Sequence, residues 1–263
     1  MDRSTPRIGC VRYLNAKPLI FGHAREVSFH QPAALADLLA LGRLDVGLCP
    51  IFEWMRNPRY AIVDGAAIAS DGPVHSVFLA HRGSLRALRR VRMDPSSRTS
   101  SHLLQITLAE FHDVRPSYEE FSPAALARPP QPARNEGLLL IGDQANAFRR
   151  THGAKFEILD LGAEWKRATA LPFVFAAWLV RDDYRSAARL AAKLRGWKRE
   201  NATRMESVIA RHGEDDPEFA RHYLTRCIRY HLGSQEKQAI AEFGKLLRKH
   251  DLIPHSPPRP RWI

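Results

Sequence analysis

Short apolar segments alternate with amphipathic ones in the first part of the chain, and this alternation predicts strands and helices in turn. An amphipathic helix should begin at Pro32, because the leucines that follow share one apolar stripe, and it should stop before Gly42. The pattern predicts strands at 7–12, 45–48 and 61–69 and a short helix at 51–56. This β-α-β-α-β order indicates a parallel sheet with helices on both faces.

The alternation repeats in the middle of the chain and then gives way to helices. A helix should start near Ser97, and extended or apolar strand-like segments occur at 74–80, 138–141, 156–159 and 172–180. From Asp182 onward, the pattern predicts helices at 183–199, 202–211, 216–230 and 234–249. Asp182 and Ser234 fit the N-cap positions of the first and last of these helices.

Two α/β units with a helical return fit a two-lobed, hinge-bending binding fold. Lobe one would hold residues 1–74 plus 178–263, which includes the C-terminal helices, and lobe two would hold 75–177. The extended segments at 74–80 and 172–180 would be the crossovers. Single-domain arrangements are also compatible with the pattern.

The composition is that of a globular chain: 263 residues, of which 44% are hydrophobic. No apolar signal segment follows the N-terminal residues, and the apolar run at 171–180 is far shorter than the roughly 20 residues that span a bilayer. We therefore expect a cytoplasmic protein without a membrane partner. The widely spaced Cys10, Cys49 and Cys227 are expected to be free thiols.

The formal net charge of +12 allows three explanations. Nucleic-acid binding would require a basic face or stripe, whereas Arg and Lys are scattered here, so no nucleic-acid partner is expected. A positive field could instead steer an anionic substrate towards the protein. A general surface property explains the charge equally well, and the sequence does not separate the two.

Candidate site residues follow the predicted strands, because ligands of open α/β sheets bind beyond the carboxyl ends of strands. After the first strand, the amide of Asn15 offers both a donor and an acceptor, and capping of the next helix is the alternative. Arg12 could pair with a carboxylate or remain solvated. After strand 61–69, the hydroxyls of Ser70 and Ser76 could face the cleft, whereas the lone His75 is more simply a structural or surface residue.

The segment 94–101 carries the strongest signal for an anion. Five of the six residues from 96 to 101 have hydroxyls, and the segment opens a helix without an acid in its first turn. A helix start with free N–H groups and extra hydroxyl donors suits an anion, so the candidates here are Ser96, Ser97, Arg98, Thr99 and Ser100. Plain N-capping by Ser96 is the alternative.

Gly142 and Asp143 follow the strand at 138–141. Gly142 allows close backbone approach to a ligand, whereas Asp143 is either an N-cap or a cleft residue. No metal-ligand spacing, glycine-rich phosphate loop or nucleophile elbow is evident in the sequence, so no metal site is predicted.

Read together, five segments resemble the chorismate dehydratases of the futalosine route to menaquinone, and they occur in the same order. They are residues 8–19 (IGCVRYLNAKPL), 44–50 (LDVGLCP), 70–74 (SDGPV), 94–100 (DPSSRTS) and 171–175 (LPFVF). Each is weak alone, and the ordered set is specific. The resemblance is strong over about 1–180 and extends to the helical end only in type.

The resemblance implies an α/β, two-lobed fold like that of type II periplasmic binding proteins, with a mixed sheet flanked by helices in each lobe. It implies dehydration of chorismate, a small dianion, to 3-[(1-carboxyvinyl)oxy]benzoate without a metal or organic cofactor. A homodimer is compatible with it. The related 1,4-dihydroxy-6-naphthoate synthases typically carry a Cys-Pro-Asn-Asp-type turn near the start, where this chain has Tyr13-Leu14-Asn15-Ala16.

No strong base is apparent at the predicted cleft. We therefore hypothesise that the enolpyruvyl carboxylate of the substrate takes the ring proton while Asn15, as the catalytic residue, orients it. The alternatives are the naphthoate synthase and a non-catalytic sensor of small anions with the same fold.

Overall fold

Two five-stranded mixed sheets form the two lobes of the molecule. The structure is a computed structural model, and it describes residues 5–57, 59–121, 132–213, 215–256 and 259–263. In chain order the strands are β1 (Ile8–Cys10), β2 (Val27–Phe29), β3 (Val46–Pro50), β4 (Tyr60–Ser70), β5 (Val77–His81), β6 (Arg90–Met93), β7 (Ser117–Glu120), β8 (Glu136–Ile141), β9 (Glu157–Asp160) and β10 (Phe173–Arg181).

The first sheet has the order β2-β1-β3-β10-β4, and the second has the order β7-β6-β8-β5-β9. In the first sheet, β1 pairs with β2 and β3 in parallel, whereas β10 is antiparallel to both β3 and β4. In the second, β6 is parallel to β7 and β8, and β5 is antiparallel to β8 and β9. The prediction of a parallel sheet was therefore wrong in one respect. The returning strand β10 lies between β3 and β4 in the first sheet and runs antiparallel to both.

Ten α-helices cover the sheets within the described residues. They are α1 (Lys17–Ile20), α2 (Pro32–Ala40), α3 (Ile51–Arg56), α4 (Thr99–Ile106), α5 (Gly142–His152), α6 (Leu161–Thr169), α7 (Ala187–Ala202), α8 (Met205–His212), α9 (Pro217–His222) and α10 (Ser234–Lys249). The C-terminal helices return to the first lobe, where α7 packs against α1 and β4 and α10 packs against β10. Among these described helices, none is long and apolar enough to cross a membrane.

Three local predictions differ from the structure. Asp182 does not cap a helix, since a turn follows β10 and α7 begins only at Ala187. Ser234 is the first residue of α10, and Gly233 holds the N-cap position. The helix predicted at 216–230 is shorter and irregular, because a π-helical turn, Tyr223–Cys227, follows α9 and the chain becomes extended at Ile228. A π-turn inserts one residue into the helical register and often marks a functional position.

The second crossover precedes β10. All of β10 pairs within the first sheet, beginning with Phe173 opposite Ser70, so residues 173–177, which were predicted for lobe two, belong to the first sheet. The rest of the predicted division into lobes stays a prediction. The apolar runs of β3 and β8 were recognisable in the sequence because every residue of these strands is buried, as expected for central strands covered on both faces.

Candidate functional site

A pocket lies between the two sheets, at the strand ends where the sequence predicted a site. Its empty space, counting the open mouth, is about 590 Å³. Apolar walls come from both lobes, including Val11, Leu48, Ile68, Val77, Ile141 and Phe175. Polar groups enter the lining from two directions, the turn after β1 and the start of α4.

The start of α4 lines the pocket with residues 96–100. The N-cap of α4 is Arg98, which makes no side-chain capping bond, and the first turn holds no acid. Plain capping of α4 by Ser96 is therefore wrong. The free N–H groups of this first turn and the dipole of α4 are consequently available to an anion.

The hydroxyls of this segment fall into two groups. Ser96 is held by Asp94: its Oγ donates to the Asp94 carboxylate at 2.6 Å and its backbone N–H does so at 2.9 Å. Thr99 Oγ1 accepts from the backbone N–H of Phe52 at 3.2 Å, so it joins the two lobes. By contrast, Ser97 Oγ is buried, lines the pocket and has no partner among the described residues. Ser97 therefore offers a hydroxyl of this segment to a ligand.

The buried acid Asp94 holds the beginning of this segment in place. Asp94 is fully buried and accepts a further hydrogen bond from Gln144 Nε2. Burial raises the pKa of Asp94 above its ordinary value, while the hydrogen bonds from Ser96 and Gln144 oppose that rise. The role of Asp94 is to fix the backbone at Ser96, because both of its bonds to that residue tighten the turn into α4.

Arg98 lines the pocket, but its charge is already paired. Its Nη1 contacts the buried carboxylate of Glu53 at 2.8 Å, and its Nη2 contacts Asp37 at 2.7 Å. Both acids belong to lobe one, on α3 and α2. Arg98 is therefore a clasp between the lobes, and two carboxylates already balance its charge.

Asn15 lies in a single 3₁₀ turn after β1, is buried and lines the pocket. Its Nδ2 donates to the Tyr223 hydroxyl at 3.1 Å, and that hydroxyl donates to Ser76 Oγ at 2.6 Å. Asn15 Oδ1 has no partner among the described residues. Asn15, Tyr223 and Ser76 thus form a buried hydrogen-bonded relay. The amide N–H group of Asn15 donates into this relay, whereas its acceptor oxygen Oδ1 is unpaired among the described residues.

Gly142 closes the pocket from lobe two. Its φ is +65°, and a Cβ placed there would come within 2.9 Å of the Tyr13 ring. Both the left-handed backbone and the close approach of Tyr13 therefore require glycine at this position. Tyr13 also lines the pocket, so it extends the polar turn that begins the site.

Four other candidates lie outside the lining. Arg12 is exposed, with its guanidinium 4.8 Å from the centre of the Phe29 ring. Ser70 and Ser76 are fully buried, and Ser76 serves the relay described above. Asp143 is the second residue of α5, after the N-cap Ile141, and accepts from the backbone N–H of Leu14, so it is an inter-lobe contact and not the predicted N-cap.

His75 also stays outside the lining. It adopts a φ of +68°, and its backbone N–H donates to Asp160 at 2.8 Å. The same carboxylate receives the N–H groups of Val74, Gly162 and Ala163, which fixes the first crossover against the start of α6. Burial lowers the pKa of His75. These contacts fit the structural role expected of it.

Sequence reasoning missed Tyr13 and Tyr223. Tyr13 is adjacent to the predicted polar turn and could have been included on that ground. Tyr223 comes from a helical segment with no motif of its own, and only the tertiary structure brings it within 3.1 Å of Asn15. In the described part of the chain, no group of three His, Cys, Asp or Glu side chains is arranged to hold a metal ion.

The architecture is that of the periplasmic-binding-protein class, as comparison with solved structures shows. A crystal structure of a protein from Archaeoglobus fulgidus superimposes with a TM-score of 0.71 at 14% identity, covering 95% of this chain and 98% of that one. The periplasmic aliphatic sulphonate-binding protein of Escherichia coli gives a TM-score of 0.66 at 14% identity, covering 97% and 95%. At this identity the likeness shows the fold, and it confirms the predicted fold class.

The chain belongs to the menaquinone biosynthesis family, whose model matches residues 6–249. Chorismate dehydratase of Thermus thermophilus is 30% identical over 261 residues, covering 91% of this chain and 94% of that protein. The predicted family is thereby confirmed, and the match extends into the helical C-terminal region that the five motifs left uncovered.

Proposed function

We propose that the protein is a chorismate dehydratase, which converts chorismate to 3-[(1-carboxyvinyl)oxy]benzoate and water on the futalosine route to menaquinone. One observation carries the proposal: an apolar pocket between two lobes presents a hydroxyl-rich helix start and an unpaired amide oxygen to a small ligand. Membership of the menaquinone biosynthesis family and the similarity to the Thermus enzyme support it.

Chorismate has two carboxylates, a ring hydroxyl and a largely apolar skeleton, and the pocket offers counterparts for one carboxylate, the skeleton and the hydroxyl. The first turn of α4 and Ser97 Oγ can donate to one carboxylate. Apolar walls such as Leu48 and Phe175 enclose the ring. Asn15 Oδ1 can accept only from a donor, and the ring hydroxyl is the donor that chorismate carries.

The reaction breaks the ring C–H bond beside the ether oxygen and the C–O bond of the neighbouring hydroxyl. The electrons of the C–H bond form the new ring double bond, and the ring becomes aromatic. We assign the proton to the enolpyruvyl carboxylate of the substrate, which then hands it to the departing hydroxyl so that water leaves. The protein orients these groups and excludes water, which suits a reaction whose driving force lies in the substrate.

The direct test is turnover of chorismate, read as loss of its ultraviolet absorbance with appearance of the aromatic product. We expect Asn15→Ala to lower kcat by a factor of about 10², as lost orientation does, with little change in thermal stability. Asn57→Ala, a change of the same type at a residue outside the pocket, is the matched control. Binding of chorismate without turnover by the parent protein would contradict the proposal and favour a non-catalytic sensor.

Asn15→Asp separates two forms of the mechanism. A carboxylate here would repel a dianionic substrate, so substrate binding should weaken. If Asp at this position instead preserves the rate, a protein base replaces the substrate carboxylate in the mechanism. Failure to consume chorismate, combined with activity on the precursor of 1,4-dihydroxy-6-naphthoate, would support the related synthase.

Cytoplasmic location, action without a cofactor, a homodimeric state and the lack of a nucleic-acid partner complete the proposal and stay predictions. Sedimentation of the purified protein tests the dimer. Activity after exhaustive treatment with a chelator, followed by gel filtration, tests independence from added metal or organic groups.

A further inference from the structure

The buried relay behind Asn15 joins three distant parts of the chain. Asn15 belongs to the turn after β1, Ser76 to the crossover between the lobes, and Tyr223 to the π-turn after α9. Tyr223 is fully buried and does not line the pocket, so it is not a substrate contact. Its hydroxyl is nevertheless the sole described partner of the Asn15 side chain.

The hydrogen bonds of the relay have a defined direction. A tyrosine hydroxyl has one proton, and Tyr223 gives it to Ser76 Oγ at 2.6 Å. What remains at the hydroxyl is acceptor capacity, which Asn15 Nδ2 fills at 3.1 Å. Burial raises the pKa of Tyr223, so the phenol keeps its proton at neutral pH.

Packing holds the relay in place. The Tyr223 ring stacks on Phe219 with ring centres 5.4 Å apart and an angle of 10° between planes. Ser76 is fixed on its other side, because its carbonyl accepts from the Gly142 N–H at 2.9 Å. Tyr223 and Ser76 are therefore both held in place, and the orientation of the Asn15 amide must adapt to them.

An amide that donates through Nδ2 to Tyr223 presents Oδ1 elsewhere. Asn15 Oδ1 is buried and unpartnered, in a side chain that lines the pocket. An unsatisfied buried acceptor costs stability unless a ligand satisfies it. If the amide were free to flip, its N–H group would occupy this position and would select an acceptor instead of a donor.

We propose that Tyr223 is a positioning residue, which together with Ser76 locks the Asn15 amide with Oδ1 as an acceptor for the substrate hydroxyl. This rests on the proposed function. A hydroxyl that donates to Asn15 has its lone pairs turned to the opposite side, where a carboxylic acid can protonate it as it leaves. The lock thus selects the hydroxyl-bearing substrate and sets the geometry of water loss.

The test is a double-mutant cycle on chorismate turnover. Tyr223→Phe keeps the stacked ring and removes only the hydroxyl, and we expect kcat to fall at least tenfold. In the Asn15→Ala background the same change should leave kcat unchanged within about twofold, because no amide remains to be oriented. Tyr230→Phe is the matched control, since its buried hydroxyl has no partner among the described residues and its loss should not change kcat.

Ser76→Ala provides a second, independent perturbation. Without Ser76 Oγ, the Tyr223 proton loses its acceptor and the hydroxyl can turn, so the Asn15 amide should no longer be locked and kcat should fall as in Tyr223→Phe. Thermal melts of each variant verify folding. If Tyr223 were only structural, Tyr223→Phe would lower stability, and its effect on kcat would persist in the Asn15→Ala background.

The two failures are distinguishable. If the parent does not consume chorismate, the proposed function and this inference fall together. If the parent is active and Tyr223→Phe retains its kcat, or if the effects of Asn15→Ala and Tyr223→Phe multiply, the inference alone is overturned.

Discussion

Replacing Arg98 by Met removes a guanidinium that joins lobe two to two acids of lobe one. The Glu53 side chain is 4% exposed and contacts Arg98 at 2.8 Å, whereas the Asp37 side chain is 58% exposed. Loss of a partner from a buried charge costs roughly 3–5 kcal/mol, and an exposed ion pair is worth about 0.2–1 kcal/mol. Because Glu53 keeps a second partner in Arg56, we expect Arg98→Met to cost about 2–3 kcal/mol of unfolding free energy.

Urea denaturation of a double-mutant cycle measures this cost directly. Arg98→Met should be partly rescued by Glu53→Gln, with a coupling energy above about 1 kcal/mol. Asp37→Asn, which removes only the exposed limb of the clasp, should cost less than about 1 kcal/mol. A coupling energy near zero between Arg98 and Glu53 would refute the assignment of Arg98 as a clasp.

The same variants separate the clasp from the earlier prediction that Arg98 binds substrate. Glu53→Gln weakens the clasp and releases one nitrogen of Arg98. If Arg98 acts only between the lobes, KM for chorismate should rise, because closure becomes less favourable. If a freed Arg98 binds a carboxylate, KM should fall instead.

Three further outcomes are expected. Ser97→Ala should weaken chorismate binding by about 0.5–1.5 kcal/mol, roughly 2- to 12-fold, without loss of stability, whereas Thr99→Ala should lower the denaturation midpoint because its hydroxyl bonds to Phe52. Burial lowers the pKa of His102, so its neutral form is favoured in the fold; unfolding free energy should therefore decrease as pH falls below about 6.5, and less steeply in His102→Gln. If the net charge of +12 steers the substrate, stopped-flow association rates should fall as salt rises; an unchanged rate would make the charge a general surface property.

Central elements were predictable because burial on both faces leaves a plain apolar run. The strand predicted at 45–48 corresponds to β3, Val46–Pro50, and the helix predicted at 51–56 corresponds to α3, Ile51–Arg56. The edge strand β7 was harder to predict, because its surface is largely solvated. No residue of β7, Ser117–Glu120, is buried, so no alternation in its sequence marked it as a strand.

The candidate site was predictable to the level of segments but not of individual side chains. Asn15, residues 96–100 and Gly142 do meet in one pocket, because each follows a strand end. Which polar groups remain free depends on partners that are distant in sequence. Arg98 forms ion pairs with Asp37 and Glu53, and Ser76 accepts a hydrogen bond from Tyr223. No local sequence pattern could have shown that these two side chains already have partners.

The distribution of charge explains how a pocket without an available guanidinium could serve a dianion. Arg98 is the one basic residue in the lining within the described part of the chain, and its two terminal nitrogens contact carboxylates. Neutral donors, the N–H groups at the start of α4 and Ser97 Oγ, are thus left to meet a carboxylate. Hydrogen bonds of this kind stabilise the charged form of a carboxylate and lower its pKa, as a nearby cation also does. The start of α4 therefore suits the carboxylate that anchors the substrate. The enolpyruvyl carboxylate that accepts the ring proton needs a position away from these donors and from the guanidinium of Arg98, which the contact with Glu53 holds in place.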